Sequence, residues 1–352
     1  MIKTVLGIEP GITAVIGSGG KTSLIERLAG ELCDKRENKT ESPGESSGRC
    51  HGNVVICTTT HILKPEGMPV YVPDFGQTYD EEGSARSETD KVRESGQVYD
   101  KQISARSETD RMRESGQICD ERIPARSESG RTQCTNRQQE PGRRREANRE
   151  KETKKLRFFL EQHKGSPVCV GTTDPDNMAK LISYPIDIIR EAAGEDACIL
   201  VEADGAKHLP MKAHNDREPV IPDGCGRVIL VIGAEGFGKP VSEAVHRPEI
   251  FAKLAGVDST EVVKTDMLAR VLLAERPKFG DGRLQVLVNR TEYRDMPERE
   301  NTDEDKDTVP HRETGSVQYL MPSDIRAAEQ LARLTGWEVY AGNVRKGVVT
   351  KL

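Results

Sequence analysis

Apolar residues along this chain gather into short runs, and the stretches between those runs carry apolar residues at helical spacing. The runs predict strands at Thr13–Ile16, Val54–Cys57, Val168–Gly171, Cys198–Val201, Val228–Ile232, Val286–Val288 and Glu338–Tyr340. The helical spacing predicts helices at Thr22–Leu32, Lys154–His163, Asn177–Ile189, Thr265–Ala274 and Asp324–Thr335; in the second of these, Leu156, Phe159 and Leu160 share a face. Another helix opens around Val245-His-Arg-Pro-Glu249, where a proline suits the first turn. Short apolar strands alternating with amphipathic helices argue an α/β fold: a mostly parallel sheet covered by helices on both faces. In such sheets ligands collect at the carboxyl ends of the strands.

Polar intervals interrupt this pattern. Residues 34–52 and 293–316 read as loops, and residues 77–136 are three tandem copies of a 20-residue unit. Gln77-Thr-Tyr-Asp80 recurs as Gln97-Val-Tyr-Asp100 and Gln117-Ile-Cys-Asp120, and Ala-Arg-Ser-Glu recurs at 85–88, 105–108 and 125–128. A solenoid of this period needs a stacked apolar face in every copy. The second copy offers only Val98, Tyr99, Ile103, Ala105 and Met112. Burying them yields ~10 kcal/mol at best, whereas fixing twenty backbones costs roughly 20–40 kcal/mol. The array is therefore expected to be disordered. The run from Arg137 to Lys151, with Arg143-Arg-Arg145, reads as its polar continuation. The expected organisation is one α/β domain, built from residues 1–76 and 152–352 and split by a disordered insertion at 77–151. The whole-chain composition of 352 residues, 35% hydrophobic, 31% charged and 4% aromatic, is poor for a compact chain because of these intervals.

The densest chemical signal is Gly17-Ser-Gly-Gly-Lys-Thr-Ser-Leu24, set between Ala14-Val15-Ile16 and the amphipathic Leu24–Ala29. Strand, glycine turn, Lys-Thr and helix is the order of a phosphate-binding P-loop, so the α/β domain is expected to be of the P-loop nucleoside-triphosphatase type. Gly17, Gly19 and Gly20, with Ser18 and Ser23, let backbone amides approach phosphates at a helix N-terminus. Lys21 would reach the outer phosphates and the Thr22 hydroxyl would ligate Mg²⁺. The glycine usual six positions before the lysine is Val15 here, so the loop is a variant form. The plainer alternative is a tight turn with a solvated lysine.

Other candidates sit at later strand ends. Thr58-Thr-Thr-His61 offers hydroxyls for phosphate, with Thr58 and Thr59 nearest the strand. Val201-Glu-Ala-Asp-Gly-Ala206 ends an apolar strand in acids, the usual place for a Mg²⁺ carboxylate, and Glu202 and Asp204, two apart, point the same way along a strand. The following polar loop carries Lys207, Lys212, His214, Arg217 and Glu218, and suits substrate contact or switching. His246 and Arg247 precede the proline-started helix, and Arg247 suits transition-state charge because its guanidinium is always ionised. Val286-Leu-Val-Asn289-Arg-Thr-Glu292 has the form of the Asn-Lys-x-Asp element that reads guanine, with Arg and Glu in place of Lys and Asp, so Asn289 is a weak base-reading candidate.

Charge and cysteine usage narrow the class. A net charge of −6 argues against nucleic acid as the main partner. The eight cysteines form no Cys-x-x-Cys pair, and Cys57, Cys169 and Cys198 lie in strand-like runs, as buried reduced thiols rather than zinc ligands. No apolar run approaches the ~20 residues of a membrane span. A cytoplasmic protein without membrane contact is expected.

With these residues in hand, the chain resembles the YqeC family of selenium-dependent molybdenum hydroxylase accessory proteins. The likeness rests on Gly17-x-Gly-Gly-Lys-Thr22, Thr58-Thr-Thr60, Glu202-Ala-Asp-Gly-Ala-Lys207, Lys212, Glu218-Pro-Val-Ile-Pro222, His246-Arg-Pro-Glu249 and Asn289, in that order. The repeat array departs from the family pattern. The resemblance implies a nucleotide-binding protein, with ATP or GTP and Mg²⁺, whose partner is a molybdenum hydroxylase or its cofactor-maturation proteins. The first functional expectation is a Mg²⁺-dependent nucleoside triphosphatase. Lys21, Asp204, Lys207 and Arg247 would handle reacting charge, Thr22 with Glu202 or Asp204 the metal, and Lys212, Glu218 and His246 a substrate or switch loop. The alternatives are a small-molecule kinase or nucleotidyl transferase, and a non-hydrolysing nucleotide-sensing adaptor.

Overall fold

The computed structural model describes residues 1–34, 52–73, 141–291 and 322–352, together with backbone at 78–79, 85–86, 293–296, 311–313 and 316–320. The chain divides into two units, 1–72 with 149–352, and 73–148. In the second, Thr78–Tyr79 pairs antiparallel with Ala85–Arg86. The expectation of a disordered repeat array falls almost wholly outside the described residues.

The first unit is built on nine strands, β1 Gly11–Gly17, β2 Val54–Thr58, β3 Val70–Tyr71, β4 Val168–Val170, β5 Cys198–Glu202, β6 Cys225–Gly233, β7 Arg283–Asn289, β8 Glu338–Asn343 and β9 Val348–Lys351. They form one sheet in the order β9-β8-β7-β6-β1-β5-β2-β4-β3. All pairings are parallel except β8 with β9 at one edge. Among the described residues, six α-helices have eight or more residues: α1 Lys21–Cys33, α2 Pro141–Gln162, α3 Ile186–Ala193, α4 Pro248–Ala255, α5 Thr265–Glu275 and α6 Pro322–Thr335. The alternation of side chains along β6 shows how they cover the sheet. Val228, Leu230 and Ile232 pack with α4, α5 and α6, through Phe251, Leu268, Leu272 and Leu331. Ile229 and Val231 pack on the opposite face with Leu24, Ile25 and Leu28 of α1. Leu156 and Leu160 of α2 and Ile188 and Ile189 of α3 join Val55, Cys57, Ile199 and Val201 in a third cluster. The α/β architecture with a mostly parallel, helix-covered sheet is as the hydrophobic pattern predicts.

The interval 293–316, which reads as a loop, holds strands Tyr293–Met296 and His311–Glu313, both paired antiparallel with Ser316–Leu320, and two further expectations are corrected. Asn177–Ile189 is not one helix: Asn177–Ile182 is a strand and α3 starts at Ile186. Pro185, lacking an amide hydrogen, ends any helix arriving from upstream and caps the one that follows. The strand pairs antiparallel with His61–Leu63 and Thr172–Asp174, contacts that helical periodicity does not foresee. Second, α2 begins at Pro141, so residues 141–151 are helical where the polar run reads as unfolded. Ion pairs between Glu150 and Lys154 and between Glu152 and Lys155 tie successive turns, and Arg149 reaches Asp187 and Glu191 of α3.

Candidate functional site

The central strand β1 runs into the glycine turn at Gly17, and α1 starts four residues later at Lys21. Gly19 and Gly20 have φ of +84° and +120°. A Cβ at Gly19 would overlap the backbone of Gly233, and one at Gly20 the side-chain amide of Asn289. Only glycine fits both the dihedral and the space. Gly20 is the N-cap and supplies no side-chain cap, so the amides of Lys21, Thr22 and Ser23 have no acceptor within the helix. The positive end of the helix dipole emerges at the same point. Ser18 is buried and spent on the fold: its amide donates to the carbonyl of Val231 and its hydroxyl to that of Leu209.

Strand β5, next to β1, brings its acidic end against this turn. Lys21 Nζ donates to the Gly17 carbonyl at 2.9 Å and lies 3.1 Å from Asp204 Oδ1 and 3.8 Å from Glu202 Oε1. The two acids are in different situations. Glu202 accepts from the exposed Thr22 hydroxyl, 3.1 Å from Oε2. Its carboxyl is pushed up by burial, against the opposing pull of Lys21 and Thr22. Asp204 is fully buried. Burial alone would raise its pKa, but Lys21, the His214 hydrogen bond and Lys212 hold it well below the usual carboxylate range. Its Oδ2 accepts from the Gly17 amide at 2.8 Å and from His214 Nε2 at 2.9 Å, and stands 3.2 Å from Lys212 Nζ.

His214 is itself held between two acids. Nδ1 lies 2.8 Å from Glu275 Oε2, and the His214 amide donates to Glu275 Oε1 at 2.6 Å. Burial disfavours the charged ring, but hydrogen bonds to Asp204 and Glu275 outweigh it and raise the pKa. Glu275 stands at the end of α5 and escaped notice in the sequence. The available signal was its register, three residues after Leu272 and four after Val271 on the buried stripe of that helix.

The loop after β5 folds back through a second ionic group. Met211–Lys212 pairs in parallel with Val245–His246. Lys212 Nζ is 2.6 Å from Glu218 Oε2 and also donates to the Gly205 carbonyl. Arg247 Nη1 meets the same Glu218 oxygen at 2.7 Å. Glu218 is held low: the cost of burial is overcome by its bonds to Arg247 and Lys212. Lys207 is exposed, and Lys207 and Arg247 have φ of +46° and +66°, an unusual conformation for side-chain-bearing residues. Arg247 thus reaches Glu218, which Lys212 links to Asp204.

The remaining candidates brace the site. Thr58 Oγ1 donates to the Glu202 carbonyl at 2.9 Å, and Thr59 Oγ1 to that of Val220 at 3.0 Å. Asn289 is buried, its Nδ2 donating to the Gly19 carbonyl at 2.9 Å and its Oδ1 accepting from the Val344 amide at 3.0 Å. Among the described residues no group of three or more His, Cys, Asp and Glu could hold a metal ion. Also among them, no helix is long and apolar enough to cross a membrane.

A family model described as YqeC protein matches residues 125–249, a span that includes Glu202–Lys207, Lys212, Glu218 and His246–Glu249. A curated protein of Escherichia coli (strain K12), named as uncharacterized protein YqeC, is 34% identical over 99 residues. Over these spans the chain is similar to YqeC proteins. The alignment covers 27% of this chain and 39% of that relative, so the chain spans about two fifths of the relative's length. The glycine turn, Thr58–Thr60 and Asn289 lie outside the span matched by the YqeC model. No solved structure matches the chain.

Proposed function

We propose that this chain, which is similar to YqeC proteins over part of its length, binds a nucleoside triphosphate with Mg²⁺ at Gly17–Thr22 and hydrolyses it. Following the family resemblance, its role would be assisting maturation of a selenium-dependent molybdenum hydroxylase. One observation carries the reading: the uncapped helix start, Lys21 and the Thr22–Glu202 pair all meet at the carboxyl end of two central parallel strands. Amides of Lys21, Thr22 and Ser23 would receive phosphate oxygens. Lys21 Nζ would turn from Asp204 to the outer phosphates. Asp204 keeps the Gly17 amide, His214 and Lys212 when Lys21 leaves, so no buried charge is stranded.

The donor set also fits Mg²⁺. That ion keeps several waters and takes one or two protein oxygens together with substrate phosphates, rather than an all-protein cage. Thr22 Oγ1 and Glu202 Oε2, 3.1 Å apart, would hold it, while Asp204 is committed to protein donors. Bound there, Mg²⁺ would neutralise charge on the outer phosphates.

The test is a titration of Mg²⁺-ATP and Mg²⁺-GTP against the full chain and Lys21→Ala, following affinity and phosphate release together. Saturable binding that weakens about a hundredfold in the variant, with slow phosphate release, is the expected result. Binding without release would leave a nucleotide-sensing adaptor, and no binding by either protein would make the glycine turn structural.

A further inference from the structure

The ionic group around Glu218 has no part in the phosphate contacts assigned to Lys21. It lies on the far side of Asp204: Lys21 meets Oδ1 at 3.1 Å, and Lys212 meets Oδ2 at 3.2 Å. A buried carboxylate held in its ionised form therefore stands between two sets of cations. An anion on one set is repelled from the space between them, which makes them separate sites rather than one extended phosphate cradle.

The second set is assembled by the local fold. The parallel pairing sets Lys212 opposite His246, and the Ala213 amide donates to the His246 carbonyl at 3.0 Å. Arg247, in left-handed conformation at the start of α4, reaches back to Glu218 and to the Ala213 carbonyl. Lys207 stands two residues beyond Gly205, whose carbonyl accepts from Lys212. The His246 ring is held below its usual pKa first by burial and then by Arg247, Lys212 and Lys207, with Glu218 opposing. Lys212 opposite it in the parallel register and Arg247 next to it in the chain flank this half-buried imidazole, and Lys207 follows the Gly205 carbonyl that Lys212 binds. Against them stand Glu218, which gives the same oxygen to Lys212 and Arg247, and Asp204, which Lys212 shares with Lys21. Among the described residues, no carboxylate is ion-paired with Lys207 or His246. Converging cations with too few acids are the electrostatic form of an anion site, and left-handed residues with side chains concentrate at ligand clamps.

We propose that Lys207, His246 and Arg247, with Lys212 behind them, form a subsite for a second, anionic small molecule bound through a phosphate or carboxylate group beside the nucleotide. Its description as a second site rests on the nucleotide reading above; binding of the anion itself does not. Lys207 and the His246 ring are the contacts available to the ligand, while Lys212 and Arg247 stay braced on Glu218 and supply the field.

The experiment uses the full chain carrying Lys21→Ala, which removes the phosphate lysine of the nucleotide site. Inorganic phosphate and, separately, malonate are titrated while the ring protons of His246 are followed by NMR, assigned from the His246→Gln spectrum. Saturable shifts are expected with at least one of the two anions. Adding Lys207→Ala, at an exposed position, should weaken that binding about tenfold, with an unchanged urea midpoint confirming the fold. A preference for phosphate or for malonate identifies the anionic group. No saturable shift with either anion, or equal affinity after Lys207→Ala, overturns the proposal. A Mg²⁺-ATP titration of the unmodified chain reads the nucleotide site independently. Displacement of phosphate from the His246 site by ATP in that protein would also overturn it, by making the cluster part of the nucleotide site.

Discussion

The amide of Gly17 donates to Asp204 Oδ2 at 2.8 Å, although 187 positions separate the two residues. One carboxylate thereby ties the first residue of the glycine turn to the loop that follows the neighbouring strand. Lys21, Lys212 and His214 all lean on the same group. Replacing Asp204 by Asn preserves the shape but leaves these cations buried around a neutral amide. Breaking such a buried arrangement costs about 3–5 kcal/mol. Urea unfolding of Asp204→Asn should show that loss at neutral pH; a loss under about 1 kcal/mol, the scale of an exposed pair, would refute the central place given to this carboxylate.

His214 predicts the sign of a pH dependence. Its folded pKa is raised above the ordinary histidine value of 6.5 by Asp204 and Glu275, which overcome burial. Between 6.5 and that raised value the folded state binds more protons than the unfolded one. The stabilisation is therefore complete below about pH 6.5 and is lost as pH rises through the folded pKa. Other charges act on the same group: Lys21 and Lys212 reach Asp204, and Lys278 donates to the His214 carbonyl. Subtracting the stability of His214→Gln from that of the unmodified chain isolates the histidine. The difference should shrink as pH rises above 6.5, and growth in that direction would reverse the assignment.

How far this site can be read from sequence depends on the range of each interaction. Gly17–Thr22 and Glu202-Ala-Asp204 carry local signals, because a glycine turn before a helix and acids ending an apolar strand are written in consecutive residues. The hydrophobic pattern likewise predicts the central strands, whose burial on both faces leaves little but apolar residues. Glu275 is different. It meets His214 across 61 positions, and only its place on the apolar stripe of α5 distinguishes it from a surface acid. The strand at Asn177–Ile182 was missed for a related reason: its identity comes from pairing with His61–Leu63, whereas its composition suits a helix. The different standing of Glu202 and Asp204 was also beyond a sequence reading, since strand alternation only says that both point the same way.

Asn289 offers a test of support against base reading. Both ends of its side chain are taken by the backbone of Gly19 and Val344. Asn289→Ala leaves those buried groups unpaired, at about 1–3 kcal/mol of stability. It should weaken Mg²⁺-ATP and Mg²⁺-GTP by the same factor, because what is lost is the position of the turn. Selective loss of GTP binding in parallel titrations would restore the guanine-reading role.

Glu202 and Asp204 should separate on metal dependence. On the proposed reading Thr22 and Glu202 hold Mg²⁺, so Glu202→Gln should reduce nucleotide affinity about tenfold or more in Mg²⁺, as loss of a charged oxygen contact implies. In EDTA the affinities of Glu202→Gln and the unmodified chain should agree within about threefold, since no metal then links the carboxylate to the phosphates. Acid should act on the same step. Burial raises the Glu202 carboxyl above the ordinary glutamate value of 4.5, and a carboxylate must be deprotonated to hold a metal. The Mg²⁺ enhancement of binding should therefore fade on acidification before an ordinary glutamate protonates, and the fading should disappear in Glu202→Gln. Calorimetric titrations with Mg²⁺ and with EDTA across that pH range measure both effects. An undiminished Mg²⁺ enhancement in Glu202→Gln would transfer the metal role away from this residue.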